Sequence, residues 1–272
     1  MKYIIGSGWW CADNPSLDDN EFRIKYGDDE IRGKDFHHVW YDSVNTNTNP
    51  SKIVIVDSCS PTKPPLDRND PRIEFISLNE NPGHSTKHTG KYSGWTRSVL
   101  LGLSYAINCD CDYFVYVEQD ALLKGKGIIE REIANMKRPF VFGKQRGLAQ
   151  PLQQSFFIID MKYAELFLSR YMAIKARDNK ISPERKFAIA TSAILGALPE
   201  SLFYQPPLNN VFQKVLHRVQ SAILKVFGCY GVTVSGYGRD RPIKFDDEYF
   251  YFQHGSKEEL QTYLETQHDA KR

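Results

Sequence analysis

The chain has 272 residues, 41% of them hydrophobic and 25% charged, with a formal net charge of +2. This is the balance of a soluble globular protein long enough for one α/β unit spanning 1–272. A charge so near zero, with no basic run, excludes nucleic acid as the main partner. The apolar stretch at Met1 to Ile5 is too short for a signal-peptide core, and no later segment has about 18 uninterrupted apolar residues. A cytoplasmic protein with some membrane association is the expectation. The five cysteines (Cys11, Cys59, Cys109, Cys111, Cys229) are odd in number and form no CxxC pair. Reduced, partly buried thiols follow.

In chain order, residues 2–5 read as a short strand that ends in a Gly6-Ser7-Gly8 turn. Residues 11–50 are polar and irregular, with a weak strand signal around 36–41. The β-branched run 52–56 stops at Asp57-Ser58 as a buried parallel strand stops at a loop, and 72–76 repeats the form. Val99, Leu100, Leu103 and Ile107 recur at helical spacing, so 94–107 is expected to be a helix. Residues 113–117 are all apolar or aromatic and form the next strand, followed by Glu118-Gln119-Asp120. Strands at 139–143 and 155–160 follow, then helices at about 161–177 and 183–197. Ser182, Pro183 and Glu184 suit the N-cap and first turn of the second of these. Residues 208–227 carry an apolar stripe. Residues 249–252 read as a strand that ends at Gln253-His254-Gly255, and Ser256 with Glu259 matches a capping box that opens the last helix. Strands alternating with helices imply an α/β sheet with helices on both faces.

Glu118 and Asp120 stand at the end of a central strand, and ligands of open α/β sheets bind beyond the carboxyl ends of the strands. Two residues apart on extended backbone, they point the same way and repel. Either a cation holds them, Mg²⁺ or Mn²⁺ from the oxygen donors, or they form a solvated acid cluster.

Asp112-Tyr-Phe-Val-Tyr-Val-Glu-Gln-Asp120 resembles the strand and DxD-type motif of GT-A-fold glycosyltransferases. Ile53-Val-Ile-Val-Asp57-Ser58 resembles that family's second strand, whose terminal Asp contacts the nucleotide base. Residues 79–84, Gly90 and Arg97 resemble the segment before the DxD strand. The match covers about 1–125 well and the rest loosely, with Glu118 replacing the motif's first Asp. The resemblance implies a GT-A-like (Rossmann-like), mixed, mostly parallel sheet. Residues 1–125 would be the nucleotide-sugar half and 126–272 the acceptor half. It also implies transfer of sugar from a nucleotide-diphosphate sugar, UDP favoured over GDP, to a glycan. A Mn²⁺ or Mg²⁺ would sit at Asp120, with Glu118 assisting and His254 as the C-terminal histidine that completes the metal shell.

Around that centre, Ser7, Gly8 and Trp9 are candidates for the nucleotide, because glycine admits close backbone approach and indole stacks on bases. Asp57 is a candidate for the base, and Lys91 and Arg97 for phosphate. Arg239 and Arg241, in a glycine-flanked loop, suit a diphosphate clamp. Gln119 lies between the two acids and joins this group. Glu184 and Glu200 are the candidate catalytic bases, with Asp246 behind them, and the stereochemistry stays open. The amide-rich segment Gln145 to Gln154 offers donors and acceptors to sugar hydroxyls. The stripe at 208–227 has Lys214, His217, Arg218 and Lys225 opposite its apolar face. Two uses follow, burial against the sheet or docking on an anionic membrane that carries a lipid-linked acceptor. Two other classes compete. One is a metal-dependent sugar nucleotidyltransferase, which would want a basic phosphate loop where tryptophans stand. The other is a non-catalytic carbohydrate-binding protein of the same fold.

Overall fold

A computed structural model describes residues 1–12, 27–147 and 149–269. Part of the polar stretch 11–50 and Leu148 of the amide-rich segment therefore lie outside the described residues. In chain order the elements are β1 (Tyr3–Trp9), α1 (Phe36–Asn47), β2 (Lys52–Asp57), β3 (Ile73–Ser77) and the short pair β4 (Gly83–His84) and β5 (Lys87–His88). Then come α2 (Gly94–Ile107), β6 (Tyr113–Val117), β7 (Ala121–Lys124), α3 (Ile128–Ala134), β8 (Phe140–Gly143) and β9 (Gln153–Asp160). The chain continues through α4 (Ala164–Ala173), α5 (Pro183–Ala190), α6 (Ala193–Ala197), α7 (Val211–Phe227), β10 (Gly231–Val232), β11 (Phe250–Gln253) and α8 (Lys257–Asp269).

The main sheet has seven strands in the order β10-β8-β9-β6-β1-β2-β3. Its pairings are parallel except those of β9, which runs against both neighbours. Alternate residues of each strand enter opposite cores. Ile4, Val54, Phe114 and Phe157 pack with α2, α4 and α5 on one face. Ile5, Ile55, Val115 and Phe156 pack with α1, α3 and α8 on the other. The expected mixed, mostly parallel sheet with helices on both faces is present.

Several local expectations are corrected. β1 runs on to Trp9, so Gly6-Ser7-Gly8 is strand and not turn. The glycines there serve packing. A Cβ on Gly6 would lie 2.6 Å from the Phe114 ring, and one on Gly8 2.7 Å from the Ser98 hydroxyl of α2. Residues 36–47 form a helix, not a strand. Its buried face (Phe36, His37, Trp40, Ser43, Val44, Asn47) keeps helical spacing but mixes polar side chains into the apolar pattern. Asn47 and Ser43 each donate to the Leu123 carbonyl, which is why polar residues are accepted there. The expected helix 183–197 is two helices, because Ser192 caps a fresh start by accepting from Leu195 N. The helix expected over 161–177 is confined to α4 after a single 3₁₀ turn. The Ser256–Glu259 capping box is formed in both directions, at 3.0 and 3.3 Å.

α7 also departs from the expected burial. Its inward residues are His217, Gln220, Ser221 and Leu224, and Val211, Phe212, Val215, Val219 and Val226 of the apolar stripe point outward. Burial of that stripe against the sheet, the commoner use of such a pattern, does not occur.

Candidate active site

The strands of the small second sheet build the site. β7 leaves the turn at Glu118-Gln119-Asp120, where Ala121 N donates to Glu118 O at 2.9 Å. β11 pairs antiparallel with β7, and Gln253 lies opposite Ala121. That register sets Gln253 and His254 against the two acids.

Gln253 is fully buried and central to the hydrogen bonding. Its Nε2 donates to Glu118 Oε2 at 2.7 Å and to Asp120 Oδ1 at 2.8 Å. Its Oε1 accepts from Arg239 Nε at 3.1 Å and from Gln153 Nε2 at 3.0 Å. A guanidinium can only donate and an ionised carboxylate can only accept, so the charges fix which end of the amide faces which neighbour. The amide thereby relieves the repulsion between Glu118 and Asp120. The remaining oxygen of Asp120, Oδ2, lies 3.0 Å from His254 Nε2. Burial pushes the Asp120 carboxyl up. His254, the Gln253 amide and the charge of Arg239 outweigh it and hold the group below its ordinary value.

Glu184 opens α5 and is half-buried. Burial raises its carboxyl above the usual range, opposed by its own backbone N–H, Ser182 and the charge of Arg239. Arg239 thus acts electrostatically on both Glu184 and Asp120, two acids whose environments push them in opposite directions. Such divergence marks candidate acid–base sites. The amide-rich segment adjoins them. Arg146 N donates to both oxygens of Asp240, the residue after Arg239, at 2.8 and 2.9 Å. Ser182 Oγ donates to Gln150 Oε1 at 3.4 Å.

Glu118, Asp120, His254 and Arg239 therefore meet around Gln253, and Glu184 lies within the field of Arg239. Arg241 borders this cluster, with Nη2 donating to the backbone oxygens of Gln253 at 3.0 Å and His254 at 3.2 Å, and Nε on Glu259 at 2.5 Å. Gln119 acts as a two-point clamp, accepting from Trp10 N at 2.8 Å and donating to Trp10 O at 3.1 Å. It fixes the end of β1 beside the acids.

The other candidates are engaged in structure. Trp9 is in the core, with its indole N–H on Thr62 O at 3.0 Å. Ser7 is buried, with its hydroxyl on Gly8 O at 3.4 Å. Asp57 is enclosed by Ser60, Ser77 and Lys63, which together fill its acceptor positions. Burial raises its carboxyl, and those hydrogen bonds, from Lys63 first, bring it below the ordinary value. It closes the loop after β2 and leaves no acceptor for a base. Lys91 donates to Met172 O at 2.7 Å. Arg97 ties down the loop before α2 through Glu80 at 3.3 Å, Thr89 O and Tyr92 O. Glu200 spends both carboxylate oxygens, at 2.8 Å each, on Lys175 N and Ala176 N after α4. Asp246 is exposed.

Sequence reasoning assigned no role to Gln253, and read Gln153 only as one amide of the segment offered to sugar hydroxyls. Both come into play only through β7, an element whose pairing partner lies more than a hundred residues away.

A cation is best tested on the donor set. Two ligands each about 2.1 Å from one ion and at right angles stand roughly 3 Å apart. The 3.0 Å separation of Asp120 Oδ2 and His254 Nε2 is that of a hydrogen bond between them, and it leaves both atoms close enough to share one ion. Glu118 Oε2 is engaged by Gln253, whose amide also holds Asp120 Oδ1. Among the described residues no group of three or more His, Cys, Asp or Glu is disposed to hold a metal. The one carboxylate, Asp120, would leave the remaining positions of a Mg²⁺ or Mn²⁺ to water and substrate phosphates.

A cavity of about 520 Å³ lined by Met1, Asp110, Asp112, Asp160 and Lys162 lies at the amino ends of the parallel strands. That is the opposite edge from the carboxylates, where open α/β sheets do not bind their ligands. We assign it no part in the site.

No known family profile and no curated protein matches the chain in sequence. Solved structures match over its length at low scores. A galactosyltransferase, LgtC, in complex with donor and acceptor sugar analogs, is 11% identical with a TM-score of 0.49, covering 99% of this chain and 96% of that one. TarS of S. aureus in complex with UDP is 13% identical, TM-score 0.42, covering 98% and 64%. An inositol-1-phosphate CTP transferase from T. maritima is 12% identical, TM-score 0.42, covering 98% and 96%. At these scores the likenesses decide nothing about function, and they include both transferase classes.

Proposed function

We propose that the protein is a glycosyltransferase that moves a sugar from a nucleotide-diphosphate sugar to a glycan hydroxyl. The observation that carries this reading is the buried junction at the carboxyl edge of the sheet. There, Asp120 is held ionised between Gln253 and His254, while Glu184 in the field of the same Arg239 is raised.

On this reading Asp120 and His254 would hold a Mn²⁺ or Mg²⁺, which would supply positive charge to a departing nucleoside diphosphate. Arg239 and Arg241 add guanidinium charge on the same side, suited to phosphate oxygens. Glu184 takes the proton of the acceptor hydroxyl as its oxygen bonds to the anomeric carbon. The bond from that carbon to the diphosphate breaks with its electron pair leaving on the diphosphate. That assignment makes the reaction inverting. Residues 145–154, hydrogen-bonded to both Ser182 and Asp240, are the acceptor segment.

UDP is the donor nucleotide we test first and GDP second. The saturated Asp57 lends no support to that order, which rests on the resemblance of the motif alone. A sugar nucleotidyltransferase is the second reading. The packing role of Gly6 and Gly8 counts against it, since neither belongs to a phosphate-cradling loop. Slow release of free sugar and nucleotide from a nucleotide sugar with Mn²⁺ supports glycosyl transfer, and pyrophosphate production supports the alternative.

The cation is tested by titration calorimetry. Asp120→Ala is expected to abolish divalent-dependent donor binding. Equal donor affinity of the wild type with and without EDTA would refute the cation assignment. A second variant examines the amide. Gln253→Leu removes the amide that donates to both Glu118 Oε2 and Asp120 Oδ1. A loss of about 1–3 kcal/mol in stability is expected, measured by urea unfolding, because buried acceptors lose their partner.

A further inference from the structure

α7 has three sectors. At about 100° per residue, Val211, Phe212, Val215, Val219, Ile223 and Val226 fall on one broad arc. Val211, Phe212 and Val226 are 78, 75 and 75% exposed. A second arc is turned inward and is mostly polar. Gln220 accepts from the buried Arg185 at 2.8 Å and donates to Leu202 O and Tyr204 O, and Ser221 donates to Ala149 O at 2.5 Å. Arg185 also donates to Phe203 O at 3.0 Å. These bonds fix the rotation of the helix, so the outward apolar face is specified and no half-turn would bury it. The third arc, between the two, carries Lys214, Arg218 and Lys225, all exposed.

A contiguous apolar face of this kind on a soluble monomer marks an interaction surface. The charges identify the occupant. From Ser201 to Arg239 the sequence has no Asp or Glu, and its only full charges are basic. Cations flanking an apolar sector along one side of a helix match an interface in which acyl chains take the apolar arc and anionic head groups the strip beside it. A protein partner would be expected to meet mixed charge.

We propose that α7 lies in the surface of an anionic lipid bilayer, with Phe212, Val215, Val219 and Val226 inserted and Lys214, Arg218 and Lys225 at the head groups. The surface stands independently of the transfer reaction. If the reading of that reaction holds, there is a consequence for the acceptor. Ser221 holds Ala149 of the acceptor segment from the inner side of the same helix, so a lipid-linked glycan would be presented next to the bilayer.

The test is vesicle co-sedimentation of the whole chain without donor, using phosphatidylglycerol and phosphatidylcholine in equal parts against phosphatidylcholine alone. Binding to the anionic vesicles is expected to exceed binding to the neutral ones by on the order of a hundredfold at low salt, from about three cations near the surface, and to weaken as salt rises. Phe212→Glu with Val219→Glu is expected to abolish it, and Lys214→Glu with Arg218→Glu to remove the preference for anionic lipid. Both pairs should leave the circular dichroism spectrum and slow donor hydrolysis unchanged, since none of the four residues touches the site. Failure of the wild type to sediment with anionic vesicles, equal binding to neutral ones, or a dimer in solution that the Phe212→Glu, Val219→Glu variant dissociates would overturn the proposal. Vesicle binding by a protein that hydrolyses no donor would leave this surface standing and remove only the proposed activity.

Discussion

Glu184→Gln is expected to lower turnover by roughly 10²–10⁴ while nucleotide-sugar binding survives, the loss usual for a general base. Gln keeps the size and hydrogen bonding of Glu but cannot take the proton. A role for Glu184 in merely holding α5 would leave both turnover and affinity near wild type. The first turn of a helix favours a negative charge, yet here burial dominates and the carboxyl is raised. The pH profile should report this. Turnover falls as pH drops through the raised value of Glu184, above the range where an ordinary carboxylate protonates, and the Gln variant loses that limb. Wild-type turnover in the variant would remove Glu184 from the mechanism.

The same shift fixes the sign of a stability effect. A carboxyl raised in the folded state binds its proton more tightly there than in the unfolded chain. Stability therefore falls as pH rises from the unfolded value through the folded one, and the deficit persists at neutral pH. Replacing the acid with Gln removes the deficit. The variant that loses turnover is thus expected to unfold at higher temperature than the wild type at neutral pH and not at acid pH, measured by thermal scans at both. A gain in stability alongside a loss of activity is the signature of a desolvated catalytic group.

The parts legible in the sequence are those written in local pattern. The β-branched run of β2 and the apolar run of β6 are visible because a buried parallel strand is apolar on both faces. The caps Ser256 and Ser182 mark their helices, since those residue types satisfy or precede the first free N–H groups. Glu118, Asp120, His254 and Glu184 stood out as charged or titratable residues at element ends. Gln253 did not, because a neutral amide at a strand end looks ordinary until β11 pairs with β7 and sets it between two acids. The surroundings of Asp57 were hidden for a similar reason. Its acceptors are filled by Ser60, Lys63 and Ser77, three residues whose approach depends on how the loop folds back. The outward turn of α7 was open from its pattern. A helical stripe fixes which residues share a face, and only the inner partners Arg185 and Ala149 decide which way that face points.

Lys186→Met is expected to destabilise the fold by about 3–5 kcal/mol, because it leaves a buried carboxylate without its cation. Lys186 and Asp178 are both fully buried and meet at 2.7 Å. Asp178 also accepts from Ser93 N at 2.8 Å and from Thr96 Oγ1 at 2.7 Å, and Lys186 donates to Ala176 O at 2.6 Å. Burial pushes the Lys186 ammonium down, and the charge and hydrogen bond of Asp178 counter it incompletely. The pair joins α5 to the N-cap of α2 across the segment that leads into Glu184, so losing it should also displace the proposed base. In chemical unfolding Lys186→Met shifts the midpoint down. Lys186→Met with Asp178→Asn recovers part of the loss, because Asn accepts the two hydrogen bonds from α2 without a charge to compensate. Additive losses in the double variant would mean that the two groups stabilise the protein independently. Recovery of stability without recovery of turnover would show that the ion pair's contribution to function lies in placing Glu184.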